Sequence, residues 1–148
     1  MAGQEDKWTA DPLIWGQGPR LFEVFLEPTC PFSATAFGKL DSLVELAGPD
    51  RVCVRIWLHS QPWHLFSGII CRAIIAASTG PAGKEAAKQV MASVYADRDR
   101  FEFDDHRTGP NLETTPNDLI SRIEEVSGVA ISDAFQISGL ESVVKLHT

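Results

Sequence analysis

Apolar residues along the chain fall into two kinds of block. Compact or alternating runs predict strands, and runs stepped by three and four predict helices. Leu13, Ile14 and Trp15 predict a short first strand, ended by Gly16-Gln17-Gly18-Pro19. Residues 21–26, Leu-Phe-Glu-Val-Phe-Leu, predict a second strand. It is apolar almost throughout, which suits a central strand covered on both faces. The spacing then changes. Ala36, Phe37, Leu40, Leu43, Val44 and Ala47 predict a helix that Gly48-Pro49-Asp50 stops. In residues 52–58, Val52, Val54, Ile56 and Leu58 alternate with Cys53, Arg55 and Trp57, so a third strand follows with one apolar face. Strand, helix, strand in this order is a βαβ unit with parallel strands and a right-handed crossover.

The remainder reads as helices. Residues 65–78 are apolar nearly all round apart from Arg72, the pattern of a buried helix. Gly80-Pro81-Ala82-Gly83 breaks the chain, and residues 84–98 resume with Ala87, Val90, Met91, Val94 and Tyr95 on one face. Residues 101–111 are irregular and hold Asp104, Asp105 and His106 in a row. Adjacent residues rarely converge on one ion, so a solvated loop is expected there rather than a metal site. Thr115-Pro116-Asn117-Asp118 starts a helix that Ser127-Gly128 ends. Ser132 caps a short turn through Phe135, and Ser138-Gly139-Leu140-Glu141 has the form of a capping box opening a last helix through His147. The expected fold class is α/β: a βαβ unit over residues 11–64 and a helical subdomain over 65–148, within one domain spanning 1–148.

Composition narrows the function classes. A chain of 148 residues holds one domain with a real core. A net charge of −7 with no basic stripe argues against nucleic acid. The most apolar stretch, near residues 69–77, is too short to span a bilayer, and the polar, acidic start lacks a signal core. A cytoplasmic protein is therefore expected. Its three cysteines show no regular spacing and make no disulfide framework. In a reducing compartment they rest as thiols.

The candidate chemistry lies in residues 27–33, Glu-Pro-Thr-Cys-Pro-Phe-Ser. Cys30 falls where a strand turns into a helix, and Pro31 suits the first helical position, where a missing N–H costs nothing. The exposed N–H groups and positive end of the helix favour a sulfur anion, the nucleophilic form of cysteine. Ser33 stands where a second thiol would make Cys-x-x-Cys. Cys30 therefore attacks a disulfide without a resolving partner inside the motif. Ser33 is in place to donate a hydrogen bond to the sulfur. Residues 59–64 form a loop at the carboxyl end of the third strand, the same rim as Cys30, where ligands of parallel sheets bind. Trp63 and His64 are thus candidate neighbours, with His64 able to pair with a thiolate or carry a proton. Cys53 in mid-strand and Cys71 on the buried helix read as structural.

Residues 25–33, Phe-Leu-Glu-Pro-Thr-Cys-Pro-Phe-Ser, resemble the active-site segment of thioredoxin-fold proteins of the DsbA-like branch, in particular the protein-disulfide isomerase group with a Cys-Pro-Phe-Ser site. Gln61-Pro62-Trp63-His64 looks like a second motif of that group. The resemblance implies a thioredoxin-like βαβ unit with an inserted or appended helical subdomain. It also implies Cys30 as catalytic thiol, with Pro31, Phe32 and Ser33 completing the motif and Glu27 nearby. The family pattern continues with a cis-proline turn, two antiparallel strands and a closing helix. Here the only Thr-Pro pair, Thr115-Pro116, opens a helix instead, so the sheet is expected to be truncated at its C-terminal side, with an open edge available for a homodimer.

Three functions follow as expectations. The first is a thiol–disulfide oxidoreductase or isomerase acting on protein or small-molecule thiols and disulfides, with no metal or bound cofactor and with glutathione as candidate thiol co-substrate. The second is a redox-inactive thioredoxin-like binding or assembly module. The third is a glutathione-dependent enzyme of the kappa-like transferase and isomerase group, for which Ser33 stands at the wrong position.

Overall fold

The computed structural model describes residues 9–102, 108–109, 111–137 and 139–147. Three strands come first: β1 (Ile14–Gly16), β2 (Arg20–Leu26) and β3 (Val52–Leu58), with helix α1 (Pro31–Ala47) between the last two. Then come α2 (Ser67–Ser78), α3 (Lys84–Ala96), a 3-10 turn (Arg98–Arg100), α4 (Pro116–Ser127), α5 (Ser132–Phe135) and α6 (Leu140–His147).

β3 is the central strand. β1 pairs with it antiparallel and β2 pairs with it parallel, giving the order β1-β3-β2. The parallel register runs from Arg20 opposite Val52 to Leu26 opposite Leu58. The βαβ unit is therefore as the sequence predicts. β3 alternates as expected, with Val52, Val54, Ile56 and Leu58 buried and Cys53, Arg55 and Trp57 only partly so. The β1–β2 connection crosses the start of β3 so closely that a side chain on Gly18 would meet the backbone of Arg51 and Val52 at about 2 Å. Only glycine fits that approach.

One expectation fails. β2 is not covered on both faces. Because β1 takes the far side of β3, β2 lies at the sheet edge, with Leu21, Phe22 and Phe25 exposed at 53%, 46% and 66%. Among the described residues the sheet has no strand beyond β2, and all the structure after β3 is helical.

α2 is the hub of the helical part. Nine of its twelve residues are buried, and it packs against α3, α4, α5 and α6. Its one cation, Arg72, reaches α5 and donates from Nε and a terminal nitrogen to the Phe135 carbonyl, at 2.8 and 2.6 Å. Those bonds satisfy guanidinium donors of a charged residue on an otherwise apolar helix. α3 contributes Ala87, Val90, Met91 and Val94 to the core, as its spacing predicts. α4 starts with a reciprocal capping box: the Thr115 hydroxyl accepts from the Asp118 N–H, and the Asp118 carboxylate accepts from the Thr115 N–H. The Thr115-Pro116 pair thus opens a helix, as expected. Asp104, Asp105, His106 and Ser138 lie outside the described residues.

Candidate active site

The turn between β2 and α1 places Cys30. The residue is the N-cap of α1 in extended conformation, and Pro31 occupies the first turn. The Cys30 carbonyl accepts the Ala34 N–H at 2.9 Å, the first bond of the helix. No side-chain cap bond is made at this helix start, where Cys30 is the N-cap, and the leading N–H groups of a helix have no acceptor within it. Cys30 is half-buried, and Phe32 beside it is 83% exposed.

Ser33 ties the first turn of α1 back to the strand, its Oγ accepting the Glu27 N–H at 3.0 Å. That bond uses an oxygen lone pair of the hydroxyl and leaves its proton to donate elsewhere.

Glu27 is the centre of the site rather than a mere neighbour. Its carboxylate is 2% exposed, and Thr29, 1% exposed, surrounds it with donors. The Thr29 N–H donates to Oε2 at 2.9 Å, and the Thr29 hydroxyl lies 3.0 Å from both carboxylate oxygens. Nδ1 of His64 stands 3.0 Å from the same hydroxyl and 3.9 Å from Oε2. Distant elements close the cluster. The Tyr95 hydroxyl on α3 donates to the Glu27 carbonyl at 3.0 Å, and Arg98 Nε donates to the Thr29 carbonyl at 2.9 Å while its terminal nitrogen pairs with Glu102. Burial, and then the Glu27 charge, hold the Tyr95 phenol far above its usual range, so it stays a donor.

His64 arrives because β2 and β3 are parallel and end on one rim. The His59 N–H donates to the Leu26 carbonyl, and a tight turn from Gln61 then brings the imidazole over Thr29. The sequence-predicted residues Glu27, Cys30, Ser33 and His64 therefore assemble at one place. Trp63 stays 62% exposed, its ring centroid 6.4 Å from that of His64. Sequence reasoning missed Thr29, Tyr95 and Arg98. Thr29 had a signal: a hydroxyl two residues after an acid, where their side chains meet across the turn. Tyr95 and Arg98 carried none, since only the tertiary fold brings them here.

The other thiols differ from Cys30. Cys71 is fully buried on α2, and burial, reinforced by Glu27, pushes its pKa up to about 12. Cys53 is half-buried on β3. Among the described residues no cluster of side chains has the make-up of a metal site, and no helix is long and apolar enough to cross a membrane.

No family model and no curated protein matches the chain. Among solved structures it is similar to one described as "a putative protein-disulfide isomerase from Pseudomonas syringae", with 60% sequence identity and a TM-score of 0.90. The match covers 93% of this chain and 76% of that one. With the strand–Cys-Pro–helix turn in place and that identity over most of its length, the chain belongs to the thioredoxin-fold, DsbA-like family of which the Pseudomonas protein is a member.

Proposed function

We propose that the chain catalyses thiol–disulfide exchange, in the manner of a protein-disulfide isomerase, with Cys30 as its nucleophile. The observation that carries this reading is the position of Cys30 as N-cap of α1, directly before Pro31 and open to solvent in part. The likeness to the Pseudomonas protein supports the same class.

In the exchange, the Cys30 thiolate attacks one sulfur of a substrate disulfide. A new S–S bond forms, the old one breaks, and the second substrate sulfur leaves as a thiolate that takes up a proton. Ser33 cannot attack the mixed disulfide, because a hydroxyl does not replace a thiol in this role. Resolution therefore comes from a second thiol of the substrate or from a small thiol such as glutathione. A protein with one reactive thiol reshuffles disulfides with no net change of oxidation state, which favours isomerisation over oxidation or reduction. The substrates are disulfides and thiols of proteins or small molecules, and the compartment that fits a resting thiol is a reducing one, such as the cytoplasm.

The test is recovery of activity by scrambled ribonuclease in a glutathione buffer. Wild-type protein should accelerate it and Cys30→Ser should not; equal rates for the two would overturn the reading. A second reading, a redox-inactive binding module, draws on the exposed Phe25, Phe32 and Trp63 around the same rim. It requires that Cys30→Ser bind unfolded chains as wild type does while neither protein exchanges disulfides.

A further inference from the structure

The hydroxyl of Thr29 has one proton and two close neighbours, the Glu27 carboxylate and Nδ1 of His64, each at 3.0 Å. All three groups are removed from bulk water to different degrees: Glu27 and Thr29 almost wholly, His64 with a fifth of its side chain exposed. Among the described residues no buried side-chain N or O lacks a partner, so the proton order inside the cluster must satisfy every contact.

Two orders do so. In one, Thr29 donates to the carboxylate and its oxygen accepts from a protonated Nδ1. In the other, a protonated Glu27 donates to Thr29, which donates to a bare Nδ1. The first fits the rest of the geometry. The Thr29 N–H also points at Oε2, at 2.9 Å, and Nδ1 itself lies 3.9 Å from that oxygen. Two donors of Thr29, its N–H and its hydroxyl, converge on the carboxyl group and favour its acceptor-only form. The elements packed around it bring nothing that reverses this. Tyr95 on α3 donates to the Glu27 carbonyl, Arg98 adds a guanidinium at the Thr29 carbonyl with Glu102 as counter-charge, and Cys71 on α2 remains a neutral thiol.

We infer that Glu27, acting through the Thr29 hydroxyl, fixes His64 as the Nδ1–H tautomer, which leaves Nε2 bare, and that this nitrogen exchanges the proton of the thiols reacting at Cys30, the residue that follows Thr29. This rests on the exchange chemistry proposed for Cys30. Glu27 and Thr29 are positioning residues and His64 is the proton carrier. When Cys30 attacks, its S–H proton passes to Nε2; when the substrate S–S bond breaks, Nε2–H returns a proton to the departing sulfur. Atoms and charge balance over the cycle, and no oxidant or reductant is consumed. A carboxylate that sets the tautomer of a histidine from behind is a known device for orienting a base; here a threonine hydroxyl stands between the two.

Two-bond 1H–15N correlation spectra of the uniformly labelled protein read the tautomer directly, with His64→Gln identifying the signal among the four histidines. Nδ1 of His64 should carry the proton in wild type and in Thr29→Ser, and the tautomer should change in Thr29→Val and Glu27→Gln. Nε2–H in the wild type, or a tautomer indifferent to Thr29→Val, overturns the inference. If Thr29→Val fails to fold, the wild-type spectrum and Thr29→Ser still decide it. The second readout is the pH profile of Cys30 alkylation. His64→Gln should slow it by at least ~10-fold near neutral pH, a modest value for a lost proton acceptor, and converge with wild type at high pH. A deficit constant at all pH values would mean a structural role and overturn the proton role. Correct tautomer and pH profile without ribonuclease reactivation would remove the isomerase reading instead, and reactivation with Nε2–H would remove this inference alone.

Discussion

Nδ1 of His147 accepts the backbone N–H of Leu58 across 3.1 Å, tying the end of α6 to the end of β3. The imidazole also packs edge-on against Trp57, ring centroids 5.2 Å apart, and the Arg55 guanidinium lies over the same indole at 4.4 Å. An acceptor nitrogen has to be unprotonated. Burial first, and then the Arg55 charge, lower the His147 pKa from 6.5 to about 4.

This relation predicts a pH-dependent stability. Between pH 6.5 and about 4 the unfolded chain binds a proton at His147 that the folded chain refuses. Stability is therefore complete above pH 6.5 and falls as the pH drops through this window. The full shift would correspond to about 3 kcal/mol, but the ring is partly open to solvent, so a loss of about 1–2 kcal/mol is expected. Urea melts of wild type and His147→Gln at pH 7 and pH 4.5 check it. The variant should lose less stability on acidification by that amount; parallel losses would assign the acid sensitivity elsewhere.

The thiols should separate by reactivity. At pH 7.5 a thiol with a pKa near 12 is ionised on the order of 1 part in 30,000, and Cys71 is in addition shut off from solvent. A limiting dose of iodoacetamide followed by mass spectrometry should label Cys30 first and leave Cys71 unlabelled until the chain is unfolded. Labelling of Cys53 at the rate of Cys30 would show that the helix end gives no advantage.

Ser33 sets the fate of the mixed disulfide. With a small disulfide, wild type should form an adduct at Cys30 that persists until a thiol is added. Ser33→Cys should lose its adduct by closing an intramolecular disulfide. The same change weakens the bond from the Glu27 N–H to position 33, at a cost of about 1 kcal/mol in stability. Adduct lifetimes measured by mass spectrometry compare the two; equal lifetimes would mean that Cys53 or Cys71 reaches Cys30.

The local parts of this site were legible because their physics is local. A strand, a Cys-Pro and an amphipathic run suffice to place Cys30 at a helix start, and Thr115 to Asp118 spell their own cap. The parallel βαβ unit put His64 on the correct rim. What the chain could not reveal is which of two apolar strands takes the centre. Residues 21–26 look as buried as 52–58, yet β1 pairs with β3 and leaves β2 outside. Thr29 was legible only in part. Its spacing from Glu27 signals the contact of their side chains, but nothing in the sequence shows that His64, on the loop after β3, meets the same hydroxyl.

The open edge of β2 leads to the last prediction, self-association. The Arg20 N–H and the Leu26 carbonyl bond toward β3, so in an alternating strand the backbone groups of Leu21, Glu23 and Phe25 face outward. A second copy related by a two-fold axis through Glu23 would place Leu21 opposite Phe25 of the partner copy, and Phe25 opposite its Leu21, with hydrogen-bonded pairs at all three outward positions. The exposed Leu21 and Phe25 side chains would then cover each other across the junction, gaining about 1 kcal/mol apiece. Glu23 meets its own copy at the axis, but the Trp57 indole N–H donates to its carboxylate and draws it back over the sheet. Added to new backbone bonds of about 1 kcal/mol each, these gains are of the same size as the ~4–15 kcal/mol cost of association, so the dimer should be weak. Against the low end of that cost a surplus of about 6 kcal/mol remains, so sedimentation velocity should show a reversible monomer–dimer equilibrium at roughly 10–100 µM. Phe25→Lys should leave a monomer without lowering the melting temperature, because the side chain contributes little to the monomer's core. Wild type that stays monomeric throughout that range would show that β2 tolerates an open edge alone, and association that survives Phe25→Lys would place the contact on another face.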